Sequence, residues 1–205
     1  MTNTLTGYTY IYKAGTGPRT FILLHGTGGN EHDILTLGEA LDVDAHILSV
    51  RGNVSEHGMN RYFKRLAEGV FDREDLTKRT EELTAFIHAA SKKHMIDLSN
   101  TVGVGFSNGA NILLHLICMH PHLLKAAILL RPMSAALPDA VENPGMPVYI
   151  GAGAHDELIP QSDAEHIASS LKTAGTDVTF NVMPVGHRIG ADDVHLVQTW
   201  LAALR

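Results

Sequence analysis

The sequence contains a single cysteine, Cys118, in 205 residues. No internal disulfide can form, so nothing points to an oxidising compartment, and the chain must be held by its core. Charge is modest and leans acidic: 16 Lys+Arg stand against 22 Asp+Glu, a formal net charge of −6. Without a cationic excess there is no field for a phosphate backbone, and nucleic acid is not an expected partner. Long apolar runs are missing as well. The longest, around Ile112–Met119 and Ala126–Leu130, fall well short of the roughly 20 residues that cross a bilayer, so no membrane span is expected. The first twenty residues, MTNTLTGYTYIYKAGTGPRT, hold no apolar segment of the signal-peptide kind. Repeats, low-complexity tracts and linkers are also lacking.

What remains is a chain with 44% hydrophobic residues, too apolar for disorder. Its length suits one domain, 1–205, with a core large enough to need no staples. A cytoplasmic location is the expectation.

Short apolar runs recur along the chain: Thr20–His25, Ala45–Val50, Thr101–Phe106, Ala126–Leu130, Pro147–Ile150 and Val178–Met183. Such runs, without polar alternation, suit strands buried on both faces of a parallel sheet. Tyr8–Lys13 alternates and reads as an edge strand. Helical patterns lie between the runs. Over Glu74–Met95 one stripe carries Leu76, Thr80, Leu83, Ile87 and Ala90, with acidic residues in the first turn and basic ones in the last. Ser162 and Glu165 are spaced as a capping box opening a helix that stops at Gly175, and Asp192–Leu204 is a third helix. Alternating strands and helices imply right-handed crossovers and an α/β fold, a doubly wound and mostly parallel sheet flanked by helices.

The sharpest local signal is Gly105-Phe106-Ser107-Asn108-Gly109. A strand leads in and a helix, Asn108–Met119, leads out, the context a nucleophile elbow requires. Glycines two residues either side relieve the crowding of that turn, and the helix N-terminus favours negative charge beside the hydroxyl. A serine hydroxyl needs a base. Of 13 histidines, His187 follows the last strand and so falls at the carboxyl edge with Ser107. His88, His94, His115, His166 and His195 sit on helices and read as ordinary. The carboxylate that would orient the base is Asp156, in the loop after Pro147–Ile150, with Glu157 as nearest rival and Asp139 a distant one. The chain order Ser, Asp, His agrees with this topology. His25-Gly26-Thr27-Gly28-Gly29 resembles a glycine-rich oxyanion loop; the expected donors are the backbone N–H groups of Thr27 and Asn108. His25 reads as a loop brace. His115, His120 and His122 lack ligand companions at metal spacing, so no metal is expected. Cys118, inside a helix, reads as a small buried hydrophobe.

FILLHGTGGNEHD, GFSNGANI, GAGAHDELIP and MPVGHRI together resemble the α/β-hydrolases of the compact carboxylesterase/phospholipase group over nearly the whole chain. SVRGNVSEHGMNRYFKR, followed by EGVFDREDL, is similar to the quinone- or hydroquinone-responsive carboxylesterases. The resemblance implies a small-molecule ester or thioester substrate, no cofactor and an acyl-serine intermediate. It also points to Met59, Arg61, Tyr62 and Phe63 as pocket residues. Only about fifteen residues, RPMSAALPDAVENPG, separate two strands where related enzymes insert a cap domain, so an open pocket without a cap is expected, with Met133 a candidate for its rim. An acyltransferase sharing the acyl-enzyme, a carbon–carbon bond hydrolase and a non-catalytic binding protein stay open as alternatives. A homodimer through a sheet edge or the C-terminal helix also stays open.

Overall fold

The computed structural model describes residues 1–67, 69–141 and 145–204. Its centre is an eight-stranded sheet. In chain order the strands and helices are β1 (Thr2–Leu5), β2 (Tyr8–Lys13), β3 (Thr20–Leu24), α1 (Leu35–Leu41), β4 (His46–Val50), β5 (Val54–Glu56), β6 (Met59–Arg61), β7 (Arg65–Ala67) and β8 (Val70–Phe71). There follow α2 (Arg73–His94), β9 (Thr101–Phe106), α3 (Asn108–Met119), β10 (Ala126–Leu130), β11 (Pro147–Gly153), α4 (Gln161–Thr173), β12 (Asp177–Met183) and α5 (Ala191–Ala203). The sheet order is β1-β2-β4-β3-β9-β10-β11-β12. From β4 to β12 every pairing is parallel, while β2 joins β4 antiparallel. This is the α/β-hydrolase fold.

The six apolar runs became the six parallel strands, because both sheet faces are covered. Tyr8, Ile22, Leu24 and Leu48 pack with α2, α3 and α4 on one face. Phe21, Leu23, Ile47 and Val104 pack with α1 and α5 on the other. The stripe on α2 is buried as its period requires. Asp72 caps that helix, its side chain accepting the N–H of Asp75.

Several expectations need correcting. Tyr8–Lys13 is not an edge strand: β1 pairs with it across a tight turn in which Thr6 and Gly7 both have positive φ, the backbone a two-residue hairpin demands. Ser162 does not cap α4, because Pro160 holds the N-cap position and Ser162 lies inside the first turn. Glu165 instead accepts from the Gln161 amide (2.7 Å). The segment after β4 is two small hairpins, β5–β6 and β7–β8, rather than a plain loop. Between β10 and β11 the only regular piece among the described residues is a 3₁₀ turn, Ser134–Ala136; residues 142–144 of the short connector lie outside the described residues. No described helix is long and apolar enough to cross a membrane.

Candidate active site

Ser107 stands between β9 and α3 with φ 52° and ψ −114°, a strained conformation for a residue with a side chain. The packing around it enforces the strain. A Cβ on Gly105 would lie 2.5 Å from Gly109 O, and one on Gly109 would lie 2.1 Å from Leu24 O. Only glycine lets β9, α3 and β3 approach this closely. The Ser107 N–H donates to Leu130 O (2.9 Å) and so is directed into the neighbouring strand.

His187 reaches the same point from the turn after β12. Ser107 Oγ and His187 Nε2 are 3.1 Å apart, and His187 Nδ1 and Asp156 Oδ2 are 2.8 Å apart. Because an ionised carboxylate only accepts, Nδ1 carries the proton and Nε2 is left as acceptor for the serine hydroxyl. The other oxygen of Asp156 accepts from the N–H groups of Leu158 (2.9 Å) and Ile159 (3.0 Å). Burial opposes ionisation of Asp156, but the His187 hydrogen bond and these two N–H groups outweigh it and hold the carboxyl below its ordinary range. The rivals lie elsewhere. Glu157 is exposed, and Asp139 pairs with Arg73 (3.0 Å).

The His187 turn is clamped from behind. Arg131, fully buried just past the end of β10, donates from Nε to Gly186 O (3.3 Å) and from Nη2 to Arg188 O (3.0 Å). Its guanidinium also forks onto the buried Asp193 carboxylate (2.9 and 2.8 Å). Asp193 in turn accepts the Gly190 N–H (2.8 Å). Gly153 permits the approach, since a Cβ there would meet Gly186 O at 2.5 Å. Sequence reasoning missed the Arg131–Asp193 pair; an arginine one residue beyond an apolar strand was the available signal.

The glycine-rich loop is held on both sides. His25 Nε2 accepts from Gly52 N (3.0 Å), so Nδ1 carries a proton that it donates to Gly26 O (2.6 Å). Burial depresses the pKa of His25, consistent with a neutral brace. Gly28 N donates to Asn60 O (2.9 Å), and Asn60 Nδ2 donates to Gly29 O (2.9 Å). Arg61 Nη1 donates to Thr27 Oγ1 (2.8 Å). The Thr27 N–H has no acceptor among the described residues. Asn108 opens α3, so its N–H lacks a partner one turn back. Its side chain is buried; Oδ1 accepts from Tyr62 N (2.9 Å), while Nδ2 has no hydrogen-bond partner among the described residues.

A cavity of about 450 Å³ lies over Ser107 and His187, and Met59, Arg61, Arg65, Asn111 and Met133 line it. Phe63 does not reach it. The ring is buried in the core, edge-on to Phe71 at 4.8 Å, because the chain leaves the extended β6 after Arg61 and strand alternation no longer sets which way Phe63 faces. Tyr62 is likewise buried, donating to Val50 O (2.6 Å). Arg65, Asn111 and Ile159 were missed: Arg65 and Ile159 lie on hairpin and loop paths that carry no periodic signal, and Asn111 lies in the first turn of α3, where the sequence does not separate a cavity-facing position from a core one. No three His, Cys, Asp or Glu side chains among the described residues gather as metal ligands. His120 ends α3 and bonds Glu81 (3.1 Å), and Cys118 is buried.

A nucleophile-type elbow over a mostly parallel sheet of this order defines a class of hydrolases, and sequence comparison agrees. The chain belongs to the phospholipase/carboxylesterase family, whose sequence profile matches residues 11–205, and is a hydrolase of the carboxylesterase type. It is 43% identical over 195 residues to the Bacillus subtilis (strain 168) protein MhqD, covering 93% of this chain and 96% of that one. The crystal structure of a Bacillus cereus carboxylesterase superposes with a TM-score of 0.90 at 38% identity, over 96% of this chain and 94% of the other. A carboxylesterase from Mesorhizobium loti gives 0.91 at 29% identity, over 98% of both chains.

Proposed function

We propose that the chain hydrolyses small carboxylic esters, thioesters included, through an acyl-serine intermediate. The observation that carries this reading is the unbroken chain of contacts from Ser107 Oγ through His187 to Asp156. In this mechanism Ser107 attacks the carbonyl carbon while His187 Nε2 takes the hydroxyl proton and then delivers it to the departing oxygen or sulfur. Asp156 holds the tautomer and stabilises the imidazolium. The N–H groups of Thr27 and Asn108 receive the oxyanion. Water, activated by His187, then releases the acid. The names of two similar structures as carboxylesterases support an ester substrate.

The test is a short-chain p-nitrophenyl ester assay with Ser107→Ala, together with labelling by a fluorophosphonate probe. Substitution should reduce kcat by about 10⁴-fold or more, to what oxyanion donors and binding alone supply. The probe should label wild type and not the variant. Equal turnover by both proteins would end the proposal.

A further inference from the structure

Two cavities share Gly26, Thr27 and Phe106 as walls. One holds Ser107 and His187. The other, about 530 Å³, contains neither; it lies between α1 and the Arg188–Ala191 turn that opens α5, and the mechanism above leaves it unused. We infer that this second cavity receives the alcohol or thiol half of the substrate, and that this half is an uncharged apolar group of ring or branched-chain size. The inference rests on the acyl-serine reading.

Direction is the first reason. In acylation the bond between Ser107 Oγ and the carbonyl carbon forms and the ester C–O or thioester C–S bond breaks. The Oγ proton passes by way of His187 Nε2 to the departing atom, so a neutral alcohol or thiol leaves beside the imidazole. Arg188, Ile189 and Gly190, the three residues that follow His187, wall the second cavity. Met59, Arg61 and Met133 wall only the first.

The second reason is adjacency. Gly26, Thr27 and Phe106 stand between the two cavities and wall both. A Cβ on Gly26 would stand 3.6 Å from Ser107 Cβ and 2.9 Å from the Phe106 ring, so glycine keeps the shared wall thin beside the nucleophile.

Chemistry is the third. Ile34, Leu37, Ile189 and Val194 supply apolar walls, and the two charged residues present, Asp33 and Arg188, are of opposite sign. Such a lining rewards apolar burial and offers no net charge to an ion. The catalytic cavity differs: its charged lining residues Arg61 and Arg65 are both cationic.

The experiment compares butyrate esters of ethanol, benzyl alcohol and cyclohexylmethanol. These alcohols leave with comparable basicity, so size is what varies. Wild type should favour the ring-bearing esters in kcat/KM by tenfold or more. Val194→Trp and Ala191→Trp, each confirmed to melt as a native fold, fill the cavity and should lower the benzyl-to-ethyl ratio at least tenfold. The preference among acyl chain lengths, read on ethyl esters, should keep its shape in both variants. Benzyl alcohol should inhibit wild type competitively, a measurement that needs no variant. A benzyl-to-ethyl ratio unchanged by both substitutions, a displaced acyl-length preference, or no inhibition by benzyl alcohol would each overturn the assignment. Absence of fluorophosphonate labelling in wild type would instead mark failure of the acyl-serine reading itself.

Discussion

Replacing Arg131 by methionine removes five hydrogen bonds at once, to Gly151 O, Gly186 O, Arg188 O and both oxygens of Asp193. Both members of the ion pair are buried, with side-chain exposures of 0% and 1%. Water cannot replace the guanidinium, and Asp193 would keep the Gly190 N–H as its remaining hydrogen-bond donor. Breaking a buried pair from one side costs about 3–5 kcal/mol. For a chain of this size each kcal/mol moves the melting temperature by about 2–4 °C, so Arg131→Met should melt roughly 6–20 °C lower. A second variant separates the causes. Arg131→Met with Asp193→Leu leaves no orphaned charge and should recover much of the lost stability, since apolar isosteres of buried pairs are often neutral. It should not recover activity, because the carbonyls of Gly186 and Arg188 on either side of His187 still lack their donor. We expect kcat/KM to stay depressed about tenfold or more in the double variant, assayed well below its melting point, as small misplacements of catalytic groups are costly. Thermal melts and ester kinetics on the two variants decide the matter. Wild-type kinetics in the double variant would refute a positioning role, and an unchanged melt in Arg131→Met would refute the energetic account.

Other consequences are simpler to test. Burial pushes the Cys118 thiol up to about 12, so iodoacetamide at pH 8 should modify it only as fast as the chain unfolds, and rapid alkylation of the native protein would contradict this. Asp156 and Glu31 titrate below their ordinary range: burial opposes ionisation of each, but hydrogen bonds, from His187 to Asp156 and from Arg51 to Glu31, outweigh it. As pH falls the unfolded chain binds protons first, so their contribution is complete above the ordinary carboxylate range and is lost below it. The melting temperature should therefore drop steeply between about pH 4 and 3, where carboxylates of ordinary pKa titrate. Asp156→Asn should flatten that drop, and an equally steep curve in the variant would count against the assignment. Gly109→Ala would force a Cβ against Leu24 O at 2.1 Å; a loss on the order of 3 kcal/mol in urea unfolding is expected, and wild-type stability would show that the elbow packs more loosely than described.

How much of this is legible in the sequence follows from where the physical information sits. The parallel strands are legible because double-sided burial erases polar alternation, and the erasure is visible in each run by itself. Ser107, Asp156 and His187 are legible because strand ends at one sheet edge are neighbours whatever the loops do. Helix α1 is not: no side chain caps its N-terminus and its first turn holds no acidic residue, so neither start signal is present. Hairpins β5–β6 and β7–β8 are three residues per strand or fewer, too short for a period to register. The end of β11 is hidden for a different reason. Gly151-Ala152-Gly153 has the composition of a loop, yet it stays extended and pairs with Asn181–Met183 of β12.

That last case joins fold to site. Gly153 carries no side chain because the His187 turn presses against it, just as Gly105 and Gly109 carry none where β9, α3 and β3 meet under Ser107. The catalytic candidates are thus brought together at positions where the sequence withholds a side chain, and the side chains alone do not reveal it. Pocket residues have no such marker. Arg61 and Phe63 are two apart, yet one lines the cavity and the other fills the core, because the chain leaves the extended β6 after Arg61 and the period-2 rule stops applying. Wherever a site is made by strand ends its members can be read in advance. Where it is made by short hairpins, the facing of each residue depends on the bend between them, and that bend is fixed by tertiary contacts such as Asn60 to Gly29 and Arg61 to Thr27.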